Sequence, residues 1–307
     1  MALQDFSLAT DGLPADVMIT PTHLDFGMKP AADNATRDIV MPGLKITALP
    51  GAMRKMGWDV SAALMERWFD SPPWRMPELW KAQDERSTIP PATQIDAPYV
   101  DETIVTMDWA LRFKRCRKAH EEVMRRVANP AAVKLLNKRL TDAEWNRTTR
   151  KALGARNMSA RELDESCQVN AKPFGSAIST LDDAYGALGS ATMKVAVIGQ
   201  ASIDPLDGRA SFHIEAAGTY IRDFYDFNGN QFLGLWTADR VINKKELIAH
   251  AALNMHVIEW MGDRVGLVTN QSFDAYRSRN NRGGDFVIFS DVHWTPLNIS
   301  IDLGVPE

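Results

Sequence analysis

The 307-residue sequence has little cysteine, no long apolar run and no excess of basic residues. Its two cysteines, Cys116 and Cys167, lack the spacing of metal-binding pairs, and they do not imply a disulfide scaffold. No apolar run approaches the roughly 18 residues that a membrane-spanning helix needs. The formal net charge of −4 argues against a generally basic nucleic-acid-binding protein. We therefore expect a globular chain with no transmembrane segment and no nucleic-acid partner.

The first residues, Met1 to Leu8, have neither the basic region nor the apolar core of a signal peptide. We therefore expect the protein to stay in the cytoplasm of the cell that makes it, unless a dedicated secretion machine exports it. Nucleotide-binding glycine loops and the Gly-x-Ser-x-Gly elbow of hydrolases are both missing from the sequence.

Three regions follow from the pattern of residues. Scattered prolines predict a loosely structured arm over residues 1–45. Apolar residues at helical spacing predict a helix from Gly51 to Phe69 within a mainly helical docking region over residues 46–185. The tryptophans of this region are typical of a packed core, although a partner-docking surface is the alternative.

The last region, residues 186–307, shows short β-rich segments joined by turns. This pattern predicts an antiparallel, meander-like sheet. The expected fold class is α+β: a helical N-terminal region followed by a mainly antiparallel curved sheet, or partial β-barrel, with helices. We expect residues 186–307 to form the catalytic domain.

Asp223, Tyr225 and Asp226 form the most informative group in the sequence, because they lie at the end of a predicted buried strand, just before the turn signal Asn228-Gly229. Carboxylates held by rigid backbone can bind a divalent cation through their oxygens or perform acid–base catalysis. We therefore predict all three as catalytic, and Asp223 and Asp226 also as metal ligands. The alternative is that both aspartates only cap a turn.

Arginines supply the second candidate group. Arg277, Arg279 and Arg282 precede Gly283-Gly284, and Arg222 lies beside the carboxylates. Guanidinium groups match phosphate oxygens, and glycine lets backbone N–H groups approach an anion closely. We predict these four arginines to bind substrate; the alternative for the 277–285 segment is an exposed basic turn.

His293 is the third candidate, as a general base that shares a strand face with Asp291. A single histidine in such a position is also an ordinary surface or core residue.

Much of the chain, over residues 45–295, resembles a bacterial family of uncharacterised domains encoded near type VI secretion spike genes. The segments that carry this resemblance are 49–69, 106–109, 220–227, 233–236 and 283–292. The resemblance implies a toxin or cargo that is delivered into competitor cells, with a spike protein or adaptor and a cognate immunity protein as partners.

A shorter stretch around Asp223, Tyr225 and Asp226 resembles the catalytic segment of colicin M-type bacteriocins. Those proteins carry an Asp-x-Tyr-Asp motif, need a divalent metal and cleave lipid II between undecaprenyl and pyrophosphate. They place a His-Arg pair shortly after the motif, whereas this sequence continues with residues 231–234, which contain no histidine. The resemblance implies that His293 or His213, with Arg282, replaces that pair.

Together these features lead to one hypothesis with two rivals. The hypothesis is an antibacterial type VI effector that reaches the periplasm of target cells and hydrolyses lipid II, or a related lipid pyrophosphate, with Mg²⁺ or another divalent cation. The first rival is a non-enzymatic adaptor, chaperone or spike-associated protein of the same locus. The second is a phosphodiesterase or nuclease toxin that uses the same acidic and basic groups.

Overall fold

The computed structural model describes residues 40–41, 44–82, 86–175, 181–229, 231–242 and 266–304. Most of the predicted N-terminal arm, residues 1–39 and 42–43, lies outside the described residues. The helices are α1 (Leu49–Lys55), α2 (Asp59–Asp70), α3 (Met107–Ala110), α4 (Lys114–Arg125), α5 (Pro130–Asp142), α6 (Ala160–Ser166), α7 (Asp183–Leu188) and α8 (Asn270–Asn280). The strands are β1 (Val40–Met41), β2 (Leu44–Lys45), β3 (Val100–Asp101), β4 (Lys151–Leu153), β5 (Gln168–Phe174), β6 (Ala191–Ile203), β7 (Ala210–Tyr225), β8 (Phe232–Trp236), β9 (Gly266–Thr269), β10 (Phe286–Phe289) and β11 (His293–Asp302).

A long hairpin of β6 and β7 forms the centre of a seven-stranded sheet. On its other edge β7 pairs first with β11 and then with β10, while β6 pairs with β4 and β5. All of these pairs are antiparallel, and only β3 joins its neighbour β10 in parallel. The sheet is curled, and helices precede it in the chain, so the predicted α+β fold with a mainly antiparallel curved sheet is confirmed.

The β6–β7 hairpin has a bulge that changes the alternation of side chains along β7. Ile198 pairs with Ala216 and the next residue of β6, Gly199, pairs with Ile214, so Glu215 is the extra residue of β7. A bulge of one residue exchanges the two faces of the strand that follows it. Before the bulge the even-numbered residues of β7 are buried; after it residues 216–221 are all buried, and the strand ends with the odd-numbered Asp223 and Tyr225 buried.

The predicted helix from Gly51 to Phe69 is in fact two helices, α1 and α2. The break falls at Gly57, whose φ of +73° places it in the left-handed region, where glycine is favoured. Asp183 then binds the start of α2, because its carboxylate accepts hydrogen bonds from the Ser61 backbone N–H (2.8 Å) and from the Trp109 indole (3.0 Å). This carboxylate ties α2, α3 and α7 together.

The region predicted as mainly helical also supplies β3, β4 and β5 to the sheet. Its Trp58 and Trp68 are buried, as the core interpretation of the tryptophans requires. Buried apolar residues from both halves of the chain form one cluster. No helix within the described residues has the length and apolar character needed to cross a membrane.

Candidate functional site

The end of β7 carries Asp223 and Tyr225 on one face of the strand, and both side chains are buried. Their strand neighbours on β10 are Ile288 and Phe286. The Tyr225 ring stacks on Phe286 with centroids 5.0 Å apart and meets Phe227 edge-on at 5.4 Å. Asp223 is 4% exposed and Tyr225 is 0% exposed, so both side chains lie in the core.

Neither of these side chains is fully satisfied. The Oδ2 atom of Asp223 and the hydroxyl of Tyr225 are buried and have no hydrogen-bond partner. Burial raises the pKa of Asp223 to about 8, with a smaller contribution from Asp226, and burial followed by the Asp223 charge raises the pKa of Tyr225. Asp223 therefore carries a proton at neutral pH and is suited to donating one.

Asp226 lies just past the strand and is 2% exposed. Its Oδ1 atom accepts a hydrogen bond from the ammonium of Lys81 (3.1 Å) and one from the backbone N–H of Asn228 (3.3 Å). Its Oδ2 atom is buried and unpartnered. Asp226 is thus a buried carboxylate with one side bound and the other side free.

A further buried carboxylate, Asp285, lies next to this group and was not among the predicted site residues. It accepts hydrogen bonds from the Trp68 indole (2.9 Å), the Met76 backbone N–H (2.9 Å) and the guanidinium of Arg277. Burial raises the pKa of Asp285 despite Arg277, and the charge of Asp226 adds to the rise. Arg277 therefore has a structural partner and does not face an open ligand site.

The two glycines after the arginines have a role other than anion binding. The backbone N–H of Gly283 donates to the Ser71 carbonyl (2.9 Å), and that of Gly284 donates to the Trp68 carbonyl (3.1 Å). They cap the C-terminal end of α2, whose last carbonyls lack partners within the helix. A Cβ atom on Gly284 would lie 2.3 Å from the carbonyl oxygen of Pro72, so close packing requires glycine there.

The other predicted arginines lie elsewhere. Arg279 and Arg282 are exposed at and just beyond the end of α8. Arg222 precedes Asp223 and points to the opposite face of the strand, where it binds Asp164 (3.1 Å). The four arginines predicted to bind substrate are therefore not brought together around the carboxylates.

His293 begins β11 and pairs with Thr219 of β7. Four residues of strand separate Thr219 from Asp223, which is about 13 Å. The His293 ring instead lies edge-on to His120 of α4, with centroids 5.4 Å apart. His213 is exposed beside Ser300 (3.2 Å), so neither histidine joins the carboxylate group in this conformation.

Asp291 does not share a strand face with His293, because β11 begins only at His293. Its carboxylate instead accepts a hydrogen bond from the Met107 backbone N–H. Asp291 lines an open groove of about 380 Å³ with Trp294 and Arg156. Asp291 and His293 thus lie apart from the carboxylates of the 223–226 segment, whereas Arg277 adjoins them through Asp285.

Three functional candidates are absent from the predicted set: Lys81, Asn228 and Asn270. The Asn270 side chain donates to the Asn228 carbonyl (2.5 Å), while its own Oδ1 is buried and unpartnered, as is Oδ1 of Asn228. Asn228 stands two residues after Asp226, a spacing that could have identified it. Lys81 and Asn270 come from distant segments, and no local signal marks them. Within the described ranges, no three His, Cys, Asp or Glu side chains are grouped as a metal site.

Comparison with known proteins gives one match. The model of a family of unknown function, DUF6402, matches residues 44–304, so the chain belongs to this family. No curated protein and no solved structure matches. The resemblance to an uncharacterised family is therefore supported, whereas the link to type VI secretion and to colicin M-type toxins is a proposal.

Proposed function

We propose that this member of a family of unknown function hydrolyses a phosphate-containing substrate at the end of β7, with lipid II or a related lipid pyrophosphate as the first candidate. The concentration of buried, unpartnered polar atoms there carries the proposal. Of nine such side-chain atoms within the described residues, five belong to the 223–231 segment and a sixth to Asn270, which contacts it. Folded proteins rarely leave buried polar groups unpaired, and perturbed groups cluster at functional sites.

The chemistry of the two aspartates suits opposite roles. Asp223, with its pKa near 8, holds a proton at neutral pH and donates it to the leaving group. Asp226 accepts the proton of the attacking water, while Tyr225 orients the substrate. Water then supplies a hydroxyl to one product and a proton to the other as the bond between lipid and pyrophosphate breaks.

The site has to open before a substrate can enter. Lys81, at the end of the 3-10 turn Glu78–Lys81, closes it by its ion pair with Asp226, and its own side chain is 21% exposed. Displacement of this turn exposes Asp226. A bound divalent cation would supply positive charge for the departing pyrophosphate.

The biological setting completes the proposal. The chain is made in the cytoplasm of the producing cell, leaves it with a type VI spike protein or adaptor, and acts in the periplasm of a target bacterium. The producing cell carries an immunity protein. The resemblance to proteins of type VI loci supports this setting.

The direct test incubates purified protein with lipid II and Mg²⁺, with Asp226→Asn and Asp274→Asn alongside. Asp274 is the control, because it lies on α8 and pairs with Arg75 (2.6 Å) and, at 3.6 Å, with Arg277, outside the residues proposed for catalysis. We expect wild type and Asp274→Asn to release a pyrophosphorylated headgroup and Asp226→Asn to release at least about a hundredfold less. Equal release by Asp226→Asn, or none by wild type, contradicts the proposal.

A non-enzymatic adaptor is the second candidate, and one observation favours it. Arg277 and Arg222 are already bound by the buried carboxylates Asp285 and Asp164, which leaves neither guanidinium open to a phosphate. Expression in the periplasm and, separately, in the cytoplasm of a test bacterium distinguishes the candidates. The hydrolase harms only the periplasm, an adaptor harms neither compartment, and a nuclease or phosphodiesterase harms the cytoplasm.

A further inference from the structure

We propose that the loop after β7 binds a divalent cation, with calcium as the preferred ion, through the side-chain oxygens of Asp226, Asn228 and Asn270. The inference deepens the proposed function, on which any catalytic role of the ion rests. Its evidence and its test concern binding alone.

Three side-chain oxygens in and beside the loop lack hydrogen-bond partners. Oδ2 of Asp226, Oδ1 of Asn228 and Oδ1 of Asn270 are buried and have no hydrogen-bond partner. Asp226 is 2% exposed and Asn270 is 1% exposed, so bulk water does not satisfy them. Carboxylate and amide oxygens can only accept, and a hard cation satisfies several acceptors at once.

Hydrogen bonds fix the orientation of both amides, those of Asn228 and Asn270. Nδ2 of Asn270 donates to the Asn228 carbonyl (2.5 Å), and Nδ2 of Asn228 reaches the Met76 carbonyl and Oδ2 of Asp285, both at 3.4 Å. Because the nitrogens are engaged, the oxygen of each amide is the atom left free. The Asn270 backbone N–H also donates to the Gln231 carbonyl (2.9 Å), which anchors the start of α8 to the loop.

The chemistry of this set favours calcium over magnesium. Calcium accepts amide and carboxylate oxygens from flexible loops, whereas magnesium keeps several waters and binds through one or two carboxylates. Asp226 and Asn228 have the i, i+2 spacing of the first two ligands of a calcium-binding loop. Asp223 is not part of the set, because it lies within β7 and not in the loop that follows the strand.

Lys81 provides a test in which a substitution should strengthen cation binding instead of weakening it. Its ammonium binds Oδ1 of the same carboxylate whose Oδ2 is free. An ion at Oδ2 would therefore be repelled by the lysine charge. Removal of that charge should strengthen cation binding, although it removes an ion pair from the folded protein.

The experiment is calorimetric titration of the full chain, stripped with EDTA, with calcium chloride and separately with magnesium chloride. The variants are Asp226→Asn, Asn270→Ala and Lys81→Met, and Asp274→Asn is the control. Thermal unfolding of each variant without ions reports whether it is folded. We expect calcium to bind wild type and the control equally, to bind at least about tenfold more weakly to Asp226→Asn and Asn270→Ala, and about tenfold more tightly to Lys81→Met.

Two outcomes overturn the inference: no ion binding by wild type at millimolar concentration, or binding that none of the three site variants changes. Magnesium binding at least as tight as calcium binding overturns the choice of ion. Calcium binding without lipid II hydrolysis supports the cation site and rejects the proposed function. Lipid II hydrolysis without ion binding supports the proposed function and rejects the cation site.

Discussion

Buried carboxylates lie against both faces of β7, and they differ in how completely their oxygens are paired. On one face, Asp164 accepts hydrogen bonds from Lys194 (2.7 Å), the Tyr220 hydroxyl (2.8 Å) and Arg222 (3.1 Å). On the other face, Asp223 has an unpartnered oxygen and lies beside an unpartnered tyrosine hydroxyl, that of Tyr225. The Asp164 carboxylate thus has partners for both oxygens, whereas Asp223 has an unpartnered oxygen, although Nε of Arg222 in the Asp164 group is also buried without a hydrogen-bond partner.

The pKa values of the two aspartates differ accordingly. Burial alone would raise the pKa of Asp164, but Lys194 and Arg222 outweigh burial and hold it below its usual value. For Asp223, burial is the largest effect and outweighs the groups that lower its pKa, so the pKa rises to about 8. Burial is thus common to both groups, and the presence of partners decides which protonation state each aspartate adopts.

The comparison separates structural from functional polar groups. A buried carboxylate whose two oxygens are both paired, as those of Asp164 are, has a sufficient explanation in folding. Unpaired buried groups cost free energy and need another reason to exist. This difference is why Asp226 and its neighbours are proposed as the functional site and the Asp164 group is not.

The largest expected effect is that of Asp164→Asn. This change leaves Lys194 and Arg222 without a carboxylate in a buried site, so we expect a loss of about 3–5 kcal/mol in the free energy of unfolding. Urea unfolding followed by tryptophan fluorescence measures it. Asp142→Asn, which breaks an exposed pair with Lys138, is the control and should cost less than about 1 kcal/mol. Equal losses in the free energy of unfolding for Asp164→Asn and Asp142→Asn would contradict the importance of the buried pairs of Asp164.

Asp223→Asn should instead stabilise the protein, and only at higher pH. Because the folded-state pKa of Asp223 is raised, the native state binds more protons than the unfolded state between about pH 4 and pH 8. The contribution of Asp223 to the free energy of unfolding is therefore fully present below pH 4 and is lost as the pH rises to about 8.

The difference between variant and wild type should consequently be near zero at pH 4. At pH 8 the free energy of unfolding of Asp223→Asn should exceed that of wild type by about 3 kcal/mol. This is roughly half of the value that the full pKa shift implies, because buried sites relax around an ionised group. Urea unfolding of both proteins at pH 4, 6 and 8 measures this difference. A variant that is less stable than wild type at pH 8 contradicts a raised pKa.

The smallest effects come from a matched pair of tyrosines, Tyr220 and Tyr225, which are both 0% exposed. Tyr220→Phe removes the hydroxyl that donates to Asp164 and should cost about 1.5–3 kcal/mol. Tyr225→Phe removes an unpartnered hydroxyl and should change the free energy of unfolding by less than about 1 kcal/mol. Thermal or urea unfolding compares the two variants. A larger loss of stability for Tyr225→Phe than for Tyr220→Phe would show that the paired and unpaired hydroxyls are wrongly assigned.

Local patterns predicted much of the sheet and part of the candidate site. The β-rich segments around the turn at residues 204–208 became the central hairpin, and the Asp-x-Tyr alternation put Asp223 and Tyr225 on one face. Period-two alternation is a local property, so the sequence can show it. The kink at Gly57, which divides the predicted helix, depends on the left-handed backbone of one residue.

The remaining features depend on contacts between distant segments. Gly283 and Gly284 were predicted to approach an anion, but they bind the end of α2, more than 200 positions earlier in the chain. Lys81 reaches Asp226 across 145 positions. Such pairs are determined by the topology of the whole chain, so a glycine that permits close approach does not reveal which group approaches it.

One measurement tests the central claim that the unpaired group at the end of β7 is functional: the toxicity of Asp226→Asn directed to the periplasm, compared with wild type at equal amounts of folded protein. The account predicts that wild type stops growth, and that Asp226→Asn abolishes toxicity while it unfolds at nearly the same urea concentration. If Asp226→Asn is folded and as toxic as wild type, or if wild type is harmless, the claim is contradicted.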